Sequence, residues 1–436
     1  MSSIDQAFEQ RRRLLLWISV VAISAFALGF VLRFGSLGLG KLLGLQWAYL
    51  AIALGAGLLL LKRQERAAAL VIVLAGALAV AFNGWWVDLP LAEVPRTTHL
   101  YLVPLLLAAR HWLSREERVL RTALSAALMT LLGLLAMLPN PFGQAQALPL
   151  AERQLLVWVV PVIAAALTAL VVHVEKLDLH DQMRLELALA AALAEDALEL
   201  HYQPQCDAAG RPFGVEALVR WRHPQLGPVS PASFVPLAER TGLILALGEQ
   251  VARKACAFAR ACQARAELRE LVVAINVSAA QFEDAAAFER LLAEVQQAAL
   301  PPGVIKFELT ESLVSRDPEG LRQRLARCRA AGVATALDDF GTGHASLASL
   351  DGLPFDQLKI DQAFVKNLGR HARAQALAHS VVQLGRRLGL EVVAEGVETE
   401  GQLQQLQAMG CERFQGYWFA RPMPETECLD WLRARR

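Results

Sequence analysis

Apolar residues dominate the first part of the chain, where they form six long runs separated by short polar segments. The runs cover residues 14–32, 42–61, 67–87, 99–112, 119–138 and 155–172. A helix needs about 20 apolar residues to cross a bilayer, and most of the runs approach or reach that length, although the fourth is short. The pattern predicts six membrane spans, so residues 1–175 are interpreted as an integral membrane domain with a sensory role.

Basic residues between the runs indicate which side of the membrane each loop faces, because cytoplasmic loops carry an excess of Lys and Arg. Arg and Lys are concentrated at residues 11–13, 62–66 and 110–118. The segments 88–96 and 139–153 carry few cations and suit the outer face, whereas the loop at 33–41 departs from the rule with two cations. An even number of spans places both termini in the cytoplasm.

Three histidines in this domain, His99, His111 and His173, have side chains that can bind a metal or haem. All three lie near predicted span ends. Intramembrane polar groups indicate function mainly when they are buried at depth, so we favour ordinary interfacial residues here.

A charged helical stretch follows the last apolar run. In residues 176–200, leucines recur at Leu177, Leu185, Leu189 and Leu193 with acids and bases between them. This pattern is typical of an amphipathic helix that leaves the membrane. Two interpretations stay open: a short parallel coiled coil that joins two protomers, or a single helix that caps the next domain.

Apolar strands alternate with helical patterns over residues 201–436. The predicted strands are 215–221, 271–276, 304–309, 333–337, 357–360 and 390–394, and the helical patterns include 243–263, 286–299, 320–331 and 373–389. Repeated strand–helix units over this length predict an α/β fold, a (β/α)₈ barrel of the TIM type. A doubly wound sheet would show a phosphate-binding loop at its switch point, and no GxGxxG or Walker sequence is present.

Composition narrows the function classes. Hydrophobic residues make up 55% of the 436 residues, which agrees with a membrane segment. The net charge of +1 gives no argument for a nucleic-acid polymer as partner. All six cysteines lie after residue 200 with no CxxC or Cys/His ligand spacing, so we interpret them as reduced, buried residues rather than disulfides or a zinc site.

Polar side chains end nearly every predicted strand of the C-terminal domain. They are Asn276, Glu308, Asp338, Asp339, Lys359, Glu395 and Glu398. In (β/α)₈ barrels the active site is built at the carboxyl ends of the strands, so we expect these groups to lie together. The set is rich in oxygen and contains no cysteine, which favours Mg²⁺ or Mn²⁺ over zinc.

Asp338 and Asp339 are adjacent at the exit of a buried strand, where two carboxylates repel each other unless a cation lies between them. Two metals that share a carboxylate suit in-line displacement at phosphorus. In such a site Lys359 would hold the attacking water or neutralise developing charge. The alternative is that Lys359 only pairs with Asp338 or Asp361.

Residues 201–422 resemble the EAL domain, the cyclic di-GMP phosphodiesterase family, over essentially its full length. The matching motifs are YQPQ (202–205), VEALVRWRHP (215–224), FVPLAERTGLI (234–244), INVSAAQF (275–282), ELTES (308–312), DDFGTG (338–343), LKID (358–361), AEGVET (394–399) and QGYWFARP (415–422). The resemblance implies a modified TIM barrel that hydrolyses cyclic di-GMP to linear pGpG with Mg²⁺ or Mn²⁺. Together with the apolar runs and the basic loops, it leads us to expect a multi-pass protein of the bacterial inner membrane with the barrel in the cytoplasm, and a homodimer through the barrel and the linker helix.

The resemblance also assigns roles to individual residues. The metal ligands would be Glu216, Asn276, Glu308, Asp338, Asp339 and Glu395. Lys359 would orient or activate the water, with Glu216 and Glu395 beside it in the catalytic group. The substrate pocket would be lined by Gln203, Arg220, Asp339, Glu398 and Gln415. Glu311 would brace the loop after Asp339, which in the family links the active site to dimerisation.

One motif departs from the family pattern. After DDFGTG the family usually has an aromatic residue and two serines before leucine, whereas this chain has His344-Ala345-Ser346-Leu347. The departure bears on the packing of that loop and on no metal ligand. Two other function classes were weighed: a catalytically silent cyclic di-GMP receptor, and a transporter with a regulatory domain. The scarcity of charge within the spans argues against the transporter.

Overall fold

The computed structural model describes residues 3–36, 40–88, 95–113, 118–138, 150–314, 317–340, 352–369 and 372–435. The chain divides into two compact units, one from residue 3 to 183 and one that contains residue 184 onward. Each unit buries its own set of apolar side chains.

The described part of the first unit is built from α-helices. They are α1 (Ser3–Ser36), α2 (Gly40–Leu61), α3 (Glu65–Phe82), α4 (Leu102–Trp112), α5 (Arg118–Met137) and α6 (Leu150–Ala194). A π-helical turn (Asn83–Val87) extends α3, and a 3₁₀ turn (Thr98–Tyr101) precedes α4. Alanines such as Ala56, Ala68 and Ala69 are buried in its core, where small side chains let helices approach closely.

Length and composition make four helical segments of the described residues compatible with membrane spans. They are Glu9–Arg33, Glu65–Trp85, Val119–Met137 and Arg153–Ala194. The apolar helix Gln46–Leu61 is shorter, and α4 has 11 residues. The number of spans therefore stays a prediction. The last predicted span and most of the charged stretch at 176–200 belong to the same 45-residue helix, α6.

The second unit contains a closed eight-stranded barrel. Its strands are β1 (Glu199–Asp207), β2 (Pro212–His223), β4 (Val272–Val277), β5 (Ile305–Thr310), β6 (Ala334–Phe340), β7 (Gln357–Ile360), β8 (Glu391–Ala394) and β9 (Arg413–Gln415). Strands β2 and β4 to β9 are parallel, and β1 closes the barrel by pairing antiparallel with both β2 and β9. Two short strands, β3 (Gly227–Val229) and β10 (Met423–Pro424), pair with β2 and β1.

Helices follow most of the parallel strands. They are α7 (Pro231–Thr241), α8 (Ile244–Gln263), α9 (Ala279–Glu283), α10 (Ala285–Gln297), α11 (Pro318–Ala330), α12 (Gln362–Lys366), α13 (Ala372–Arg387), α14 (Glu400–Ala408) and α15 (Glu425–Arg433). Their starts follow local capping rules: Ser278 and Thr399 form capping boxes, and the Asp317 carboxylate accepts from the N–H of Gly320. The closed barrel confirms the predicted TIM-like class and excludes the doubly wound sheet.

The six predicted strands all lie within or across β2 and β4 to β8. The prediction missed β1 and β9. All six cysteines are free and buried, as expected.

Candidate active site

The carboxyl ends of the parallel strands bring the predicted polar residues together inside the barrel. The pairing of neighbouring strands places these residues at the same height along the barrel axis. Asn276 on β4 lies opposite Glu308 on β5, and Gln203 on β1 lies opposite Glu216 on β2. Alternate residues of a strand point to the same face of the sheet. Each strand can therefore contribute one side chain to a ring inside the barrel.

Lys359 lies at the centre of this ring and is fully buried. Its Nζ is 2.5 Å from Glu395 Oε1, 2.6 Å from Glu308 Oε2, 3.3 Å from Asp338 Oδ1 and 3.9 Å from Glu216 Oε2. A buried ammonium group is tolerated only when it is paired and hydrogen-bonded, and here four carboxylates surround it. Lys359 therefore pairs with Asp338, but within a larger group that the sequence alone did not specify.

A chain of amide side chains holds Glu216 in place. Asn276 Nδ2 donates to Glu216 Oε1 at 2.6 Å, and Gln415 Nε2 donates to Glu216 Oε2 at 2.6 Å. Gln415 Nε2 also lies 3.2 Å from Gln203 Oε1. Burial on its own would raise the pKa of Glu216, but Lys359 and these two donors outweigh it, so the pKa is lowered below its ordinary value.

Asp338 and Asp339 owe their arrangement to an irregularity in β6. Consecutive residues of a regular strand point to opposite faces. Asp339 instead has a φ of 55°, in the left-handed region, and the pairing of β6 with β7 shifts register between Leu337 and Phe340. The Asp339 N–H donates to Asp338 Oδ1 at 3.0 Å. The irregularity lets both carboxylates reach the same end of the barrel.

In the ring, several acidic side chains lie close to one another around the ammonium group of Lys359. Burial on its own would lower the pKa of Lys359, but Asp338 and the other carboxylates raise it well above its ordinary value. Burial raises the pKa of Glu308 to about 8 and that of Glu395 well above its ordinary range. Burial, followed by the neighbouring Asp338, raises the pKa of Asp339 to about 6.

The donor set fits a divalent cation. Asp338, Asp339 and Glu395 each offer an oxygen, and these oxygens lie within 4.8 Å of one another. Glu308 Oε1 is buried without a hydrogen-bond partner, which is costly unless a further group binds it. Oxygen ligands of this kind suit Mg²⁺, Mn²⁺ and Ca²⁺. Among the described residues, no such set of three metal-binding side chains includes a histidine.

Three predicted residues stand apart from the ring. Arg220 on β2 is half-buried, and its pKa is lowered by burial, an effect that nearby Glu216 partly offsets. Glu398 follows β8 and is exposed, with its backbone N–H donating to Gln402 Oε1. Glu311 is buried in a 3₁₀ turn after β5 (Glu311–Leu313). The loop that it was expected to brace, including His344, lies outside the described residues.

Two residues that contribute to the site were not among the predicted site residues, although Asp361 was considered as an ion-pair partner of Lys359. Gln205 on β1 is fully buried, and its Nε2 donates to Gln415 Oε1 at 2.9 Å. Asp361 caps α12 and, through a side-chain hydrogen bond, helps to raise the pKa of Asp339. Both residues belong to the YQPQ and LKID motifs, so their presence in those motifs was the available signal.

Known proteins are similar to part of this chain. The chain is 43% identical over 240 residues to cyclic di-GMP phosphodiesterase PA2567 of Pseudomonas aeruginosa, covering 55% of this chain and 40% of that protein. It is 41% identical over 251 residues to the bifunctional diguanylate cyclase/cyclic di-GMP phosphodiesterase MucR of the same species, covering 57% of this chain and 36% of that one. The chain thus spans less than half the length of these curated relatives.

Solved structures with similar folds include ligand complexes. The PaMucR phosphodiesterase in complex with c-di-GMP is 40% identical with a TM-score of 0.54, covering 56% of this chain and 99% of that one. The EAL enzyme Bd1971 in its cGMP-bound form is 29% identical with a TM-score of 0.56, covering 63% and 75%. The model of the EAL domain matches residues 186–422, more than half of the chain. The chain therefore belongs to the EAL domain family.

Proposed function

We propose that this protein is a membrane-anchored phosphodiesterase that hydrolyses cyclic di-GMP to linear pGpG with two divalent cations, Mg²⁺ or Mn²⁺. The observation that carries the proposal is the buried ring of carboxylates around Lys359 at the carboxyl ends of the barrel strands. Its support comes from relatives and a solved structure at about 40% identity whose names give this activity and this ligand.

The charge of the ring explains why cations are needed. Five carboxylates (Glu216, Glu308, Asp338, Asp339 and Glu395) face a single ammonium group, and an anionic phosphodiester is repelled by such a site. The metal ligands would be those five carboxylates and Asn276, whose Oδ1 is not used in its bond to Glu216. Bound divalent cations supply Lewis acidity, lowering the pKa of a coordinated water and neutralising charge on the phosphoryl oxygens.

The chain's own residues then have defined tasks. The raised pKa of Lys359 keeps it protonated, so it acts as a hydrogen-bond donor that orients the attacking water and does not remove its proton. Glu395, which contacts Lys359, would accept that proton in its ionised form, which bound cations favour over the protonated form that burial favours without them. As the water oxygen bonds to phosphorus, one ester P–O bond breaks, and the departing ribose oxygen takes up a proton that balances the one passed from the water to Glu395. The guanidinium of Arg220, at the rim, suits a phosphate because its planar fork donates two bonds.

Membrane anchoring is the second part of the proposal. It rests on the four helical segments that are long and apolar enough to span a bilayer. Extraction of cell membranes with alkaline carbonate should leave the full chain in the pellet, whereas release into the supernatant would contradict an integral anchor. The inner-membrane topology and the homodimer through barrel and linker helix stay predictions.

The activity can be tested with the full chain in lipid nanodiscs. With Mg²⁺ or Mn²⁺ we expect conversion of cyclic di-GMP to pGpG, and Glu216→Gln should lower it by at least about 100-fold because the charge that orders Asn276 and Gln415 is lost. The matched control Glu239→Gln changes an exposed acid on α7 and should retain wild-type turnover. Tight binding of cyclic di-GMP without turnover by the wild type would favour the silent receptor instead.

A further inference from the structure

The N-terminal unit contains a partly open and largely apolar cavity of about 270 Å³, lined by α1, α2, α3, α4 and α6. Its lining extends from Tyr101 to Trp112 beside α4 and from Leu156 to Val171 along α6. At 1.5 Å per helical residue these segments correspond to roughly 16 and 22 Å. The cavity is therefore long enough for an extended aliphatic chain.

Three buried polar atoms in the lining have no hydrogen-bond partner: Gln46 Oε1, Tyr101 OH and Trp112 Nε1. Gln46 and Trp112 are each only 2% exposed. Other polar residues of the lining are satisfied, since Asn83 Nδ2 donates to Tyr49 OH at 2.9 Å. A buried polar atom is unfavourable without a partner, so a bound molecule that supplies hydrogen bonds would be stabilised here.

Gln46 and Tyr101 lie at the same end of the cavity. Gln46 is one helical turn from Tyr49, which bonds Asn83 at the start of the π-helical turn. That turn packs against the 3₁₀ turn that ends at Tyr101. Trp112 lies at the other end, eleven residues further along the chain. A ligand with one polar head would place it beside Gln46 and Tyr101.

The charge of the lining limits the chemistry of that head. Among the described lining residues, Asp88 is the only Asp, Glu, Lys, Arg or His. Its Oδ2 already accepts from the N–H of Thr97, and from the N–H and hydroxyl of Thr98. Arg96 donates to the Asp88 carbonyl but does not line the cavity, so an anionic head would find no cation in the described lining and would be disfavoured. Gln46 Oε1 requires a donor, and Tyr101 OH can donate or accept, so the head must carry its own O–H or N–H.

From these contacts we propose that the N-terminal unit is a binding site for a neutral single-chain amphiphile, a long-chain alcohol or primary amide. The chain fills the apolar length between α4 and α6, and the head bonds Gln46 and Tyr101. This inference goes beyond the proposed phosphodiesterase activity and does not depend on it.

The test uses the full chain in phospholipid nanodiscs, which contain no single-chain detergent. A diazirine-bearing dodecanol is photo-crosslinked, and the labelled peptides are identified by mass spectrometry. We expect saturable labelling of cavity-lining residues that dodecanol suppresses at concentrations about tenfold lower than dodecanoate or dodecyltrimethylammonium, the margin of one good hydrogen bond. Equal competition by the three compounds, or labelling confined to lipid-facing residues, would overturn the proposal.

Variants locate the head and the chain separately. Tyr101→Phe removes only a hydroxyl and should weaken competition by dodecanol about tenfold, whereas Trp112→Phe at the other end should leave it unchanged. Ala53→Phe fills the cavity and should abolish saturable labelling, while Ala127→Phe on the exposed face of α5 should not. Equal effects of Tyr101→Phe and Trp112→Phe, or full labelling of the Ala53→Phe protein, would contradict it.

Discussion

Replacing Lys359 by methionine should make the stability of the barrel depend on divalent cations. The ammonium group forms ion pairs with four carboxylates, at 2.5 to 3.9 Å, whereas Arg220 and Lys306 act on Glu216 and Glu308 through their charge alone. Methionine keeps most of the buried volume and removes the charge. The four buried carboxylates then have no ammonium group in contact with them, unless a metal ion binds them.

The expected size follows from what buried ion pairs cost when one partner is removed, about 3–5 kcal/mol. For a unit of roughly 250 residues, each kcal/mol corresponds to about 2–4 °C in the unfolding midpoint. We therefore expect the midpoint of Lys359→Met to fall by about 10 °C in a chelating buffer at pH 8. Added Mg²⁺ should raise it by more than it raises the wild type, because a ligand stabilises the folded state more when it binds that state more tightly.

The cysteines provide an assay that reports on the barrel within the full chain. All six cysteines of the sequence lie after residue 200 and are buried. A thiol-reactive fluorogenic dye therefore gains fluorescence when the barrel unfolds and is silent to the N-terminal helices. Melting curves recorded with chelator and with Mg²⁺ give the two midpoints for each variant.

Lys306→Met is the matched control, because Lys306 is a second buried lysine of the same barrel. Its Nζ forms an ion pair with Glu391 at 3.9 Å, which Arg413 also binds at 2.9 Å, whereas Glu308 and Asp356 act on it through their charge alone. Burial lowers the pKa of Lys306, so replacing it by an apolar side chain should change the stability of the barrel little. The change should be the same with and without Mg²⁺. The reasoning is refuted if the two variants lose the same stability in chelator, or if Mg²⁺ raises both midpoints equally.

Three further outcomes are expected, each measured by the same thiol-dye melting. Glu308 has a pKa of about 8 in the folded protein against an ordinary value of 4.5, so the folded state binds this proton more tightly than the unfolded state does. The metal-free protein should therefore lose about 2 kcal/mol of stability from pH 6 to pH 8. A stability that does not change with pH over this range would contradict the prediction. Asp339→Asn should keep the left-handed backbone and cost little, whereas Asp339→Val should cost about 1–2 kcal/mol more; equal losses would remove the argument from φ. Gly416→Ala would place a Cβ 2.1 Å from the carbonyl oxygen of Val397 and should destabilise by about 3 kcal/mol or more, whereas Gly401→Ala, whose Cβ meets nothing within 4 Å, should be neutral or slightly stabilising.

The parallel strands of the barrel were predictable because their local pattern matches their environment. Strands β4 to β8 are covered on both faces and read as short apolar runs bounded by turn residues. Strand β7 was predicted with the same ends that it has in the structure, Gln357 and Ile360. Polar residues at the ends of these runs then pointed to the site, because strand ends converge in a closed barrel.

Strands β1 and β9 escaped prediction for physical reasons. On β1, the side-chain amides of Gln203 and Gln205 both form hydrogen bonds with Gln415. The strand therefore lacks the apolar pattern of its neighbours. Strand β9 has only three residues, too few for any period to appear. The antiparallel direction of β1 is set by its two neighbours in the closed sheet and not by its own sequence.

The Asp338–Asp339 pair departs from the regular strand pattern, and this departure lies within the candidate site. A regular β6 would send the two carboxylates to opposite faces, and only one of them would reach the interior. The left-handed φ at Asp339 and the register shift before Phe340 break that rule. Aspartate tolerates this backbone better than most residues, yet the conformation still has a cost that the rest of the barrel must offset. The irregular backbone therefore lies at the point where Asp338 and Asp339 both approach Glu395, and the closed barrel on either side of β6 holds it there.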